Sequence, residues 1–306
     1  MVENIKFSLL IANYNNGHFF EDCYYSIIPQ TYTNWEVIIV DDKSTDNSVA
    51  IIKEFIKGDK RFKLFLNSEN KGCGYTKNKC AYKSQGEILG FLDPDDGLFP
   101  EAIEEMVNGF IQNSEAVLIT SKHQLFDVNM NYIREGEHGE PIPNNQSYLT
   151  YGKGAFTHFA CFKKDAFLNM CGLDIVMKRA VDQDLYYKLE EQGEHVFLNK
   201  FLYKYRLHKN GISQNENYLK AKYWHCYALE QAYRRRQKNS SNVRNISRKA
   251  RDSFWINYYY QLYESSKENN TNMENLNILY NLIRLEPFQN MKFKLKNLLF
   301  LIYTKR

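Results

Sequence analysis

The first 120 residues alternate short apolar runs, rich in β-branched and aromatic side chains, with segments whose apolar residues recur at helical spacing. Such alternation is typical of βαβ units. It predicts an α/β fold with a mostly parallel, Rossmann-like sheet flanked by helices. The predicted strands are residues 7–12, 36–40, 62–66, 88–92 and 116–120.

Later parts of the chain have a different pattern. Residues 121–213 mix strand and helix signals, and beyond residue 215 only helical patterns rich in Tyr, Asn and Lys remain. A chain of 306 residues can form one large domain or two smaller ones. We therefore expect an α/β domain over residues 1–213 and a helical C-terminal extension over residues 214–306.

The net charge and the spacing of the cysteines limit the classes of function that the protein can have. A formal charge of +4 is too small to indicate nucleic-acid binding. The six cysteines have no CxxC pair and no metal-type spacing, which favours free thiols in a reducing compartment. No segment approaches the roughly 18 apolar residues that a membrane span requires. We expect a cytoplasmic protein, with peripheral contact at the inner face of a membrane as a further option.

Polar residues follow each of the first four predicted strands. The segments read "ANYNN", "DDKSTD", "NSENKGCGYTKN" and "DPDDG". Loops are often polar, but open α/β sheets bind their ligands at the carboxyl ends of the strands. Four such segments in succession favour a binding crevice. The three carboxylates of "DPDD" repel one another unless a positive group lies among them.

Four segments, in order and at the expected spacing, carry a family resemblance. They are the 7–52 stretch with "VDD", then "NKGCGYTKN" with "GFLDPDDGLFP", then "AVDQDLYYKL", and finally "YRLHKNGIS". Together they resemble the motifs of the family 2 glycosyltransferases, over roughly residues 5–213. The resemblance implies a GT-A fold and an inverting transferase that uses a nucleotide-sugar donor.

The resemblance also implies roles in nucleotide binding. Asp41 is expected to accept the uracil N–H, and Ala12 and Tyr14 to flank the same ring. Helix capping is the alternative for the Asp41–Asp42 pair, and Asp42 is the more structural of the two. Gly72 belongs to the segment that closes over the nucleotide.

Lys77 stands in that segment where the family commonly has arginine, and it is expected to neutralise the diphosphate as a point charge. "DPDD" matches the family's DxD element. Asp95 is the expected ligand of Mn²⁺ or Mg²⁺, ions that prefer one or two carboxylates together with substrate phosphates. Asp93 is expected to contact the ribose or the sugar.

Two later motifs complete the predicted site. Asp182 matches the family's general base, although Val181 replaces the usual preceding glutamate and a helix N-cap is the alternative role. His208 is expected to join the metal site, the alternative being a satisfied surface or core residue, and Arg206 is a weaker candidate for phosphate. The other histidines show no ligand spacing.

The resemblance implies transfer of a hexosyl or N-acetylhexosaminyl group, from a UDP-sugar, to a hydroxyl of a saccharide or lipid-linked acceptor in bacterial cell-surface polysaccharide or glycolipid synthesis. Residues 234–251 carry eight Lys and Arg and no Asp or Glu, and 291–306 form a basic amphipathic stretch. Both are candidates for contact with anionic lipid. A solvated helix face and docking on the catalytic domain are the respective alternatives.

Other classes fit less well. "FLDPDDGL" approaches the DxDGT element of haloacid dehalogenase-type phosphatases, but Asp96 intervenes before the glycine and Leu98 replaces the threonine. "ANYNNG" lacks the G-x-G-x-x-G of a dinucleotide oxidoreductase. A catalytically inactive nucleotide-sugar-binding module of the same fold remains an alternative, although it would not need Asp95 and Asp182. We expect no nucleic-acid partner.

Overall fold

The fold is taken from a computed structural model, which describes residues 5–208, 218–238, 243–266 and 271–303. The strands are β1 (Phe7–Asn13), β2 (Trp35–Asp41), β3 (Phe62–Leu66), β4 (Ile88–Phe91), β5 (Gly97–Leu98), β6 (Ala116–Phe126), β7 (Tyr132–Glu135), β8 (Ala160–Lys163) and β9 (Glu194–Arg206). The helices of the N-terminal part are α1 (Phe20–Ile27), α2 (Ser48–Phe55), α3 (Cys73–Lys83), α4 (Ala102–Gln112), α5 (Tyr148–Tyr151), α6 (Lys164–Asn169) and α7 (Val181–Glu190). The C-terminal helices are α8 (Tyr218–Lys238), α9 (Arg248–Ser266), α10 (Asn272–Leu285) and α11 (Met291–Tyr303).

All the strands listed above join one sheet, with the order β3-β2-β1-β4-β8-β6-β9-β5 and β7 paired to β6. The block β3-β2-β1-β4 is parallel, as the βαβ pattern predicts. Antiparallel β8 connects this block to a long parallel pair formed by β6 and β9. The predicted α/β fold with a parallel sheet and a helical C-terminal region is confirmed.

Both faces of the sheet are buried. Along β1, Phe7, Leu9 and Ile11 pack into one core with α1, α2 and α4, whereas Leu10 faces the opposite core with α3 and α7. A strand covered on both faces has no polar alternation, which explains the continuous apolar run in the sequence.

Helix α8 continues the second core. Ala228, Leu229 and Ala232 pack against the same cluster as α7, whereas α9 and α10 share a smaller cluster around Leu279. The predicted boundary near residue 213 lies outside the described residues. Within the described ranges, no helix is both long and apolar enough to cross a membrane.

Candidate active site

The carboxyl ends of β1, β2 and β4 meet at one edge of the sheet. Asn13 at the end of β1 lies in register with Asp41 at the end of β2, and β4 leads directly into Asp93. Parallel strands place these ends side by side, where open α/β sheets form their ligand crevice.

Asp41 is held by protein donors. Its carboxylate accepts hydrogen bonds from Asn13 Nδ2 at 2.8 Å, from the Ser44 amide at 2.9 Å and from the Ser44 hydroxyl at 2.5 Å. The side chain is buried, so a base contact through Asp41 would share oxygens that already fix the end of β1. Ala12 is half-buried and Tyr14 is exposed beside it. The nucleotide contacts of these three residues stay a prediction.

Asp42 organises the segment before α3. It accepts hydrogen bonds from Asn67 Nδ2 at 2.7 Å and from the amides of Lys71 and Gly72, both at 2.8 Å. Gly72 has φ +86°, a conformation that favours glycine, and nothing lies within 4 Å of where a Cβ would be. Gly72 is therefore required by the backbone conformation, and α3 begins directly after it.

Lys77 and Asp93 form an ion pair in this crevice. Lys77 Nζ lies 3.2 Å from Asp93 Oδ1, and only 12% of the lysine side chain is exposed. Burial favours the neutral amine, but the Asp93 carboxylate outweighs it and raises the pKa of Lys77. Burial likewise opposes ionisation of Asp93, and the Lys77 ammonium outweighs it and lowers the pKa of that carboxyl. Both groups are charged at neutral pH.

Asp95 meets His208 across 113 residues of sequence. His208 Nε2 lies 2.9 Å from Asp95 Oδ2, and the side chains are 9% and 19% exposed. A carboxylate oxygen and an imidazole nitrogen at this distance suit a divalent cation that takes its remaining ligands from water and phosphate. In the described ranges no group of three or more His, Cys, Asp or Glu could hold a metal. Metal binding by Asp95 and His208 stays a prediction.

Asp96 is a structural member of the acidic cluster. Tyr203 donates its hydroxyl to Oδ2 at 2.7 Å, and the Arg206 amide donates to Oδ1 at 2.8 Å. Burial, together with the negative charges of Asp95 and Asp93, raises the pKa of Asp96 well above its usual range. Asp96 thus connects the DxD turn to β9.

Arg206 fixes the same turn from its side chain. Nε donates to the Asp95 carbonyl at 2.6 Å, one terminal nitrogen to the Val128 carbonyl at 2.6 Å, and the other to Asp22 at 2.7 Å. The residue is buried, with its guanidinium over the ring of Phe19. With every guanidinium nitrogen donating to protein, Arg206 acts as a clamp.

Asp182 lies in the first turn of α7 and is half-buried. The N-cap of α7 is Ala180, at φ +53°, so Asp182 does not cap the helix. Its carboxylate makes no hydrogen bond or ion pair within the described residues. It lines a small cavity together with Lys77 and His158. The predicted base therefore shares this cavity with Lys77, the ion-pair partner of Asp93.

His158 and Tyr203 are the main site residues that the sequence pattern did not single out. His158 precedes β8 and stacks on Tyr203 of β9, with ring centroids 4.9 Å apart. Neither stands in one of the four motif segments. The one signal for Tyr203 in the sequence is the alternation of aromatic residues along 195–205. This alternation predicts a strand, but it does not predict which strand pairs with it.

Comparison with known proteins identifies the family. The glycosyl transferase family 2 model matches residues 8–185. The chain is 31% identical over 225 residues to the chondroitin synthase of Escherichia coli, covering 70% of this chain but only 31% of that protein. It is 28% identical over 227 residues to TuaG of Bacillus subtilis, a protein described as a teichuronic acid biosynthesis glycosyltransferase, covering 72% of this chain and 86% of TuaG.

A solved structure shares the fold. S. aureus TarS 1–349, crystallised with UDP, superposes with a TM-score of 0.61 at 17% identity, over 92% of this chain and 81% of that chain. The same protein was also crystallised with UDP-GlcNAc. Because the family model matches more than half of the chain, the protein belongs to glycosyl transferase family 2.

Proposed function

We propose that this glycosyltransferase moves a hexosyl or N-acetylhexosaminyl group from a UDP-sugar to a hydroxyl of a saccharide or lipid-linked acceptor, with inversion, in cell-surface polysaccharide or glycolipid synthesis. One observation carries the proposal. Asp93 and Asp95 of the turn after β4 contact Lys77 and His208 respectively, and Lys77 lines one small cavity together with Asp182. The names of the bacterial relatives support the substrate class.

The donor would lie along the strand ends with its diphosphate near Asp95. Asp95 and His208 would hold Mn²⁺ or Mg²⁺, which supplies positive charge to the departing diphosphate. Lys77 adds a fixed cation in the same region, already oriented by Asp93. Asp93 lies where it can accept a hydroxyl of the ribose or sugar.

Asp182 serves as the general base. The acceptor hydroxyl attacks the anomeric carbon from the side opposite the diphosphate, its oxygen forms the new glycosidic bond, and its proton passes to the Asp182 carboxylate. The bond between the anomeric carbon and the diphosphate oxygen breaks, and UDP leaves. A carboxylate of ordinary basicity suffices, because the hydroxyl becomes acidic only as it reacts.

The location of the enzyme follows from its substrates. UDP-sugars and lipid-linked acceptors meet at the cytoplasmic face of a membrane, so we place the protein in the cytoplasm with peripheral membrane contact. Residues 234–251 and 291–306 are the proposed contact segments. Arg248, with 81% of its side chain exposed, and exposed Lys249 are the residues of the first segment best placed for it.

Thermal unfolding with a panel of nucleoside diphosphates, each with and without Mn²⁺, tests the proposal. A ligand that binds only the folded protein raises the midpoint, by an amount set by its concentration relative to Kd. We expect UDP to raise the midpoint, with a larger shift when Mn²⁺ is present.

Asp95→Asn should remove the Mn²⁺ dependence while preserving the shape of the site. Asp46→Asn, a change at an exposed loop position after β2, is the matched control and should retain it. No shift with any nucleotide would overturn the proposed function, and a shift with GDP or dTDP alone would replace the donor.

A further inference from the structure

His158 lies at the wall of the candidate active site. Its ring stacks on Tyr203, at 4.9 Å and 23° between planes, and on Tyr205, at 6.1 Å and 16°. His158 also lines the small cavity with Lys77 and Asp182. The stacked tyrosines fix the plane of the imidazole, so its edge faces a constant direction.

The ring nitrogens of His158 have no hydrogen-bond partner within the described ranges. This distinguishes it from three other histidines: His123 contacts the Thr157 hydroxyl at 3.2 Å, His195 the Thr120 hydroxyl at 2.8 Å, and His208 the Asp95 carboxylate at 2.9 Å. The side chain is half-buried, so a polar ligand group can replace the water that solvates these nitrogens. His158 is therefore prepared for a polar ligand group.

The cavity selects the size of that group. Its volume is about 20 Å³, slightly more than the roughly 10–15 Å³ that a single water needs. A hydroxyl fits into such a space, whereas a sugar ring or a phosphate does not. Burial lowers the pKa of His158 despite the opposing charges of Asp93 and Asp182, so the ring is neutral at pH 7. A neutral imidazole offers one donor and one acceptor, which matches a hydroxyl.

The position of the cavity indicates which substrate hydroxyl His158 would contact. Asp93 marks the donor side of the crevice, and Asp182 marks the side from which the acceptor attacks. In an inverting transfer these two sides flank the anomeric carbon. His158 shares the cavity with Asp182 and with Lys77, the ion-pair partner of Asp93, so it lies alongside the sugar being transferred. We propose that His158 hydrogen-bonds a hydroxyl of the transferred sugar and thereby helps to determine which donor sugar is accepted. This inference rests on the proposed function.

Calorimetric titrations in Mn²⁺ test the proposal. The ligands are UDP and three donors, UDP-glucose, UDP-galactose and UDP-GlcNAc, and the donor that the wild type binds best is carried forward. For His158→Ala we expect that donor to bind about 5- to 10-fold more weakly, the loss that one ordinary hydrogen bond represents. The affinity for UDP should change by less than about twofold.

Conservative variants separate a contact from a structural role. In His158→Asn and His158→Gln the amide takes the place of one ring nitrogen or the other, so at least one of them should recover part of the lost affinity. His195→Gln, a change at another half-buried histidine that does not line the cavity, is the matched control. It should leave the ratio of UDP-sugar to UDP affinity unchanged.

Several results would overturn the assignment. Equal weakening of UDP and the UDP-sugar would make His158 structural, and no weakening of either would exclude the contact. A raised KM for the acceptor with unchanged donor binding would assign the hydroxyl to the acceptor. If His158→Ala does not fold, the same comparisons are made with the two amide variants. Failure of the wild type to bind UDP would instead refute the proposed function, and this inference with it.

Discussion

Arg236→Met separates two interpretations of the basic segment 234–251. In the structure the Arg236 side chain is fully buried, between α8 and α7. It lies 2.8 Å from Glu190 and 3.0 Å from Glu191, and it donates to the Arg244 carbonyl at 2.8 Å. A residue so enclosed cannot contact a lipid surface, and we expect its main effect to be on stability.

The magnitude follows from what the substitution leaves behind. Removing one partner of a buried ion pair costs about 3–5 kcal/mol. Glu191 keeps Arg235 at 2.8 Å, so only Glu190 loses its sole described cation, and the lower end applies. The entropy of unfolding is roughly 2 cal/mol/K per residue, so a loss of about 3 kcal/mol in a chain of 306 residues lowers Tm by about 5 °C.

The loss should depend on pH in a defined direction. Burial already raises the pKa of Glu190, and Arg236 opposes that rise. Without the guanidinium the folded pKa rises further above the unfolded value. A carboxyl whose pKa is raised in the folded state destabilises the protein as pH rises and the group ionises. The loss of stability of the variant relative to the wild type should therefore be larger near about pH 8 than near about pH 5.

Calorimetric unfolding at both pH values measures this, with Arg234→Met as the matched control. Arg234 lies on the same helix, is 65% exposed, and contacts Glu230, which also retains Arg251. An exposed pair of this kind contributes less than about 1 kcal/mol. Equal Tm values for the two variants, or a larger deficit for Arg236→Met in acid, would refute the reasoning.

Three further predictions concern the site and the surface. Asp182→Asn should lower the rate of transfer about 100-fold or more while UDP affinity stays within about twofold; retained transfer would place the base elsewhere. Lys77→Met should weaken Mn²⁺-dependent UDP binding about tenfold in calorimetry, with Lys83→Met at the far end of α3 as the unaffected control, and equal affinities would exclude a role in diphosphate binding. The double variant Arg248→Glu and Lys249→Glu should reduce co-sedimentation with vesicles containing phosphatidylglycerol but not with neutral vesicles, and unchanged sedimentation would contradict lipid contact through this segment.

Periodicity predicted the parallel half of the sheet because that half is built from local βαβ units. The strand ends then bring Asp41 and Asp93 to one edge, since parallel neighbours point the same way. The role of Asp182 was harder to predict from the sequence, because the choice between helix N-cap and general base depends on the residue at which α7 begins. Ala180 occupies the N-cap in a left-handed conformation that its side chain does not indicate.

What the sequence could not provide depends on contacts distant along the chain. β9 pairs with β6 in parallel after a separation of about 70 residues, and only this pairing places Tyr203 beside His158. The sequence of the basic segment 234–251 also does not reveal which carboxylates pair with its Lys and Arg residues. Its carboxylate partners include Glu190 at the end of α7, Glu191 directly after it and Glu230 of α8. They lie outside the run and change a uniform positive stretch into a set of ion pairs.

The clamp formed by Arg206 has a consequence for the order of events during synthesis. Arg206 contacts Asp22, 184 residues earlier in the chain, and also the carbonyl of Asp95 in the DxD turn, and it stands two residues before His208. Ribosomes release the chain from its N-terminus, so the parallel strands to which we assign nucleotide binding can pair well before Arg206 emerges. Until then Asp95 lacks its contacts with Arg206 and His208. A nascent chain should therefore acquire nucleotide affinity first and metal dependence only after residue 208 has left the exit tunnel.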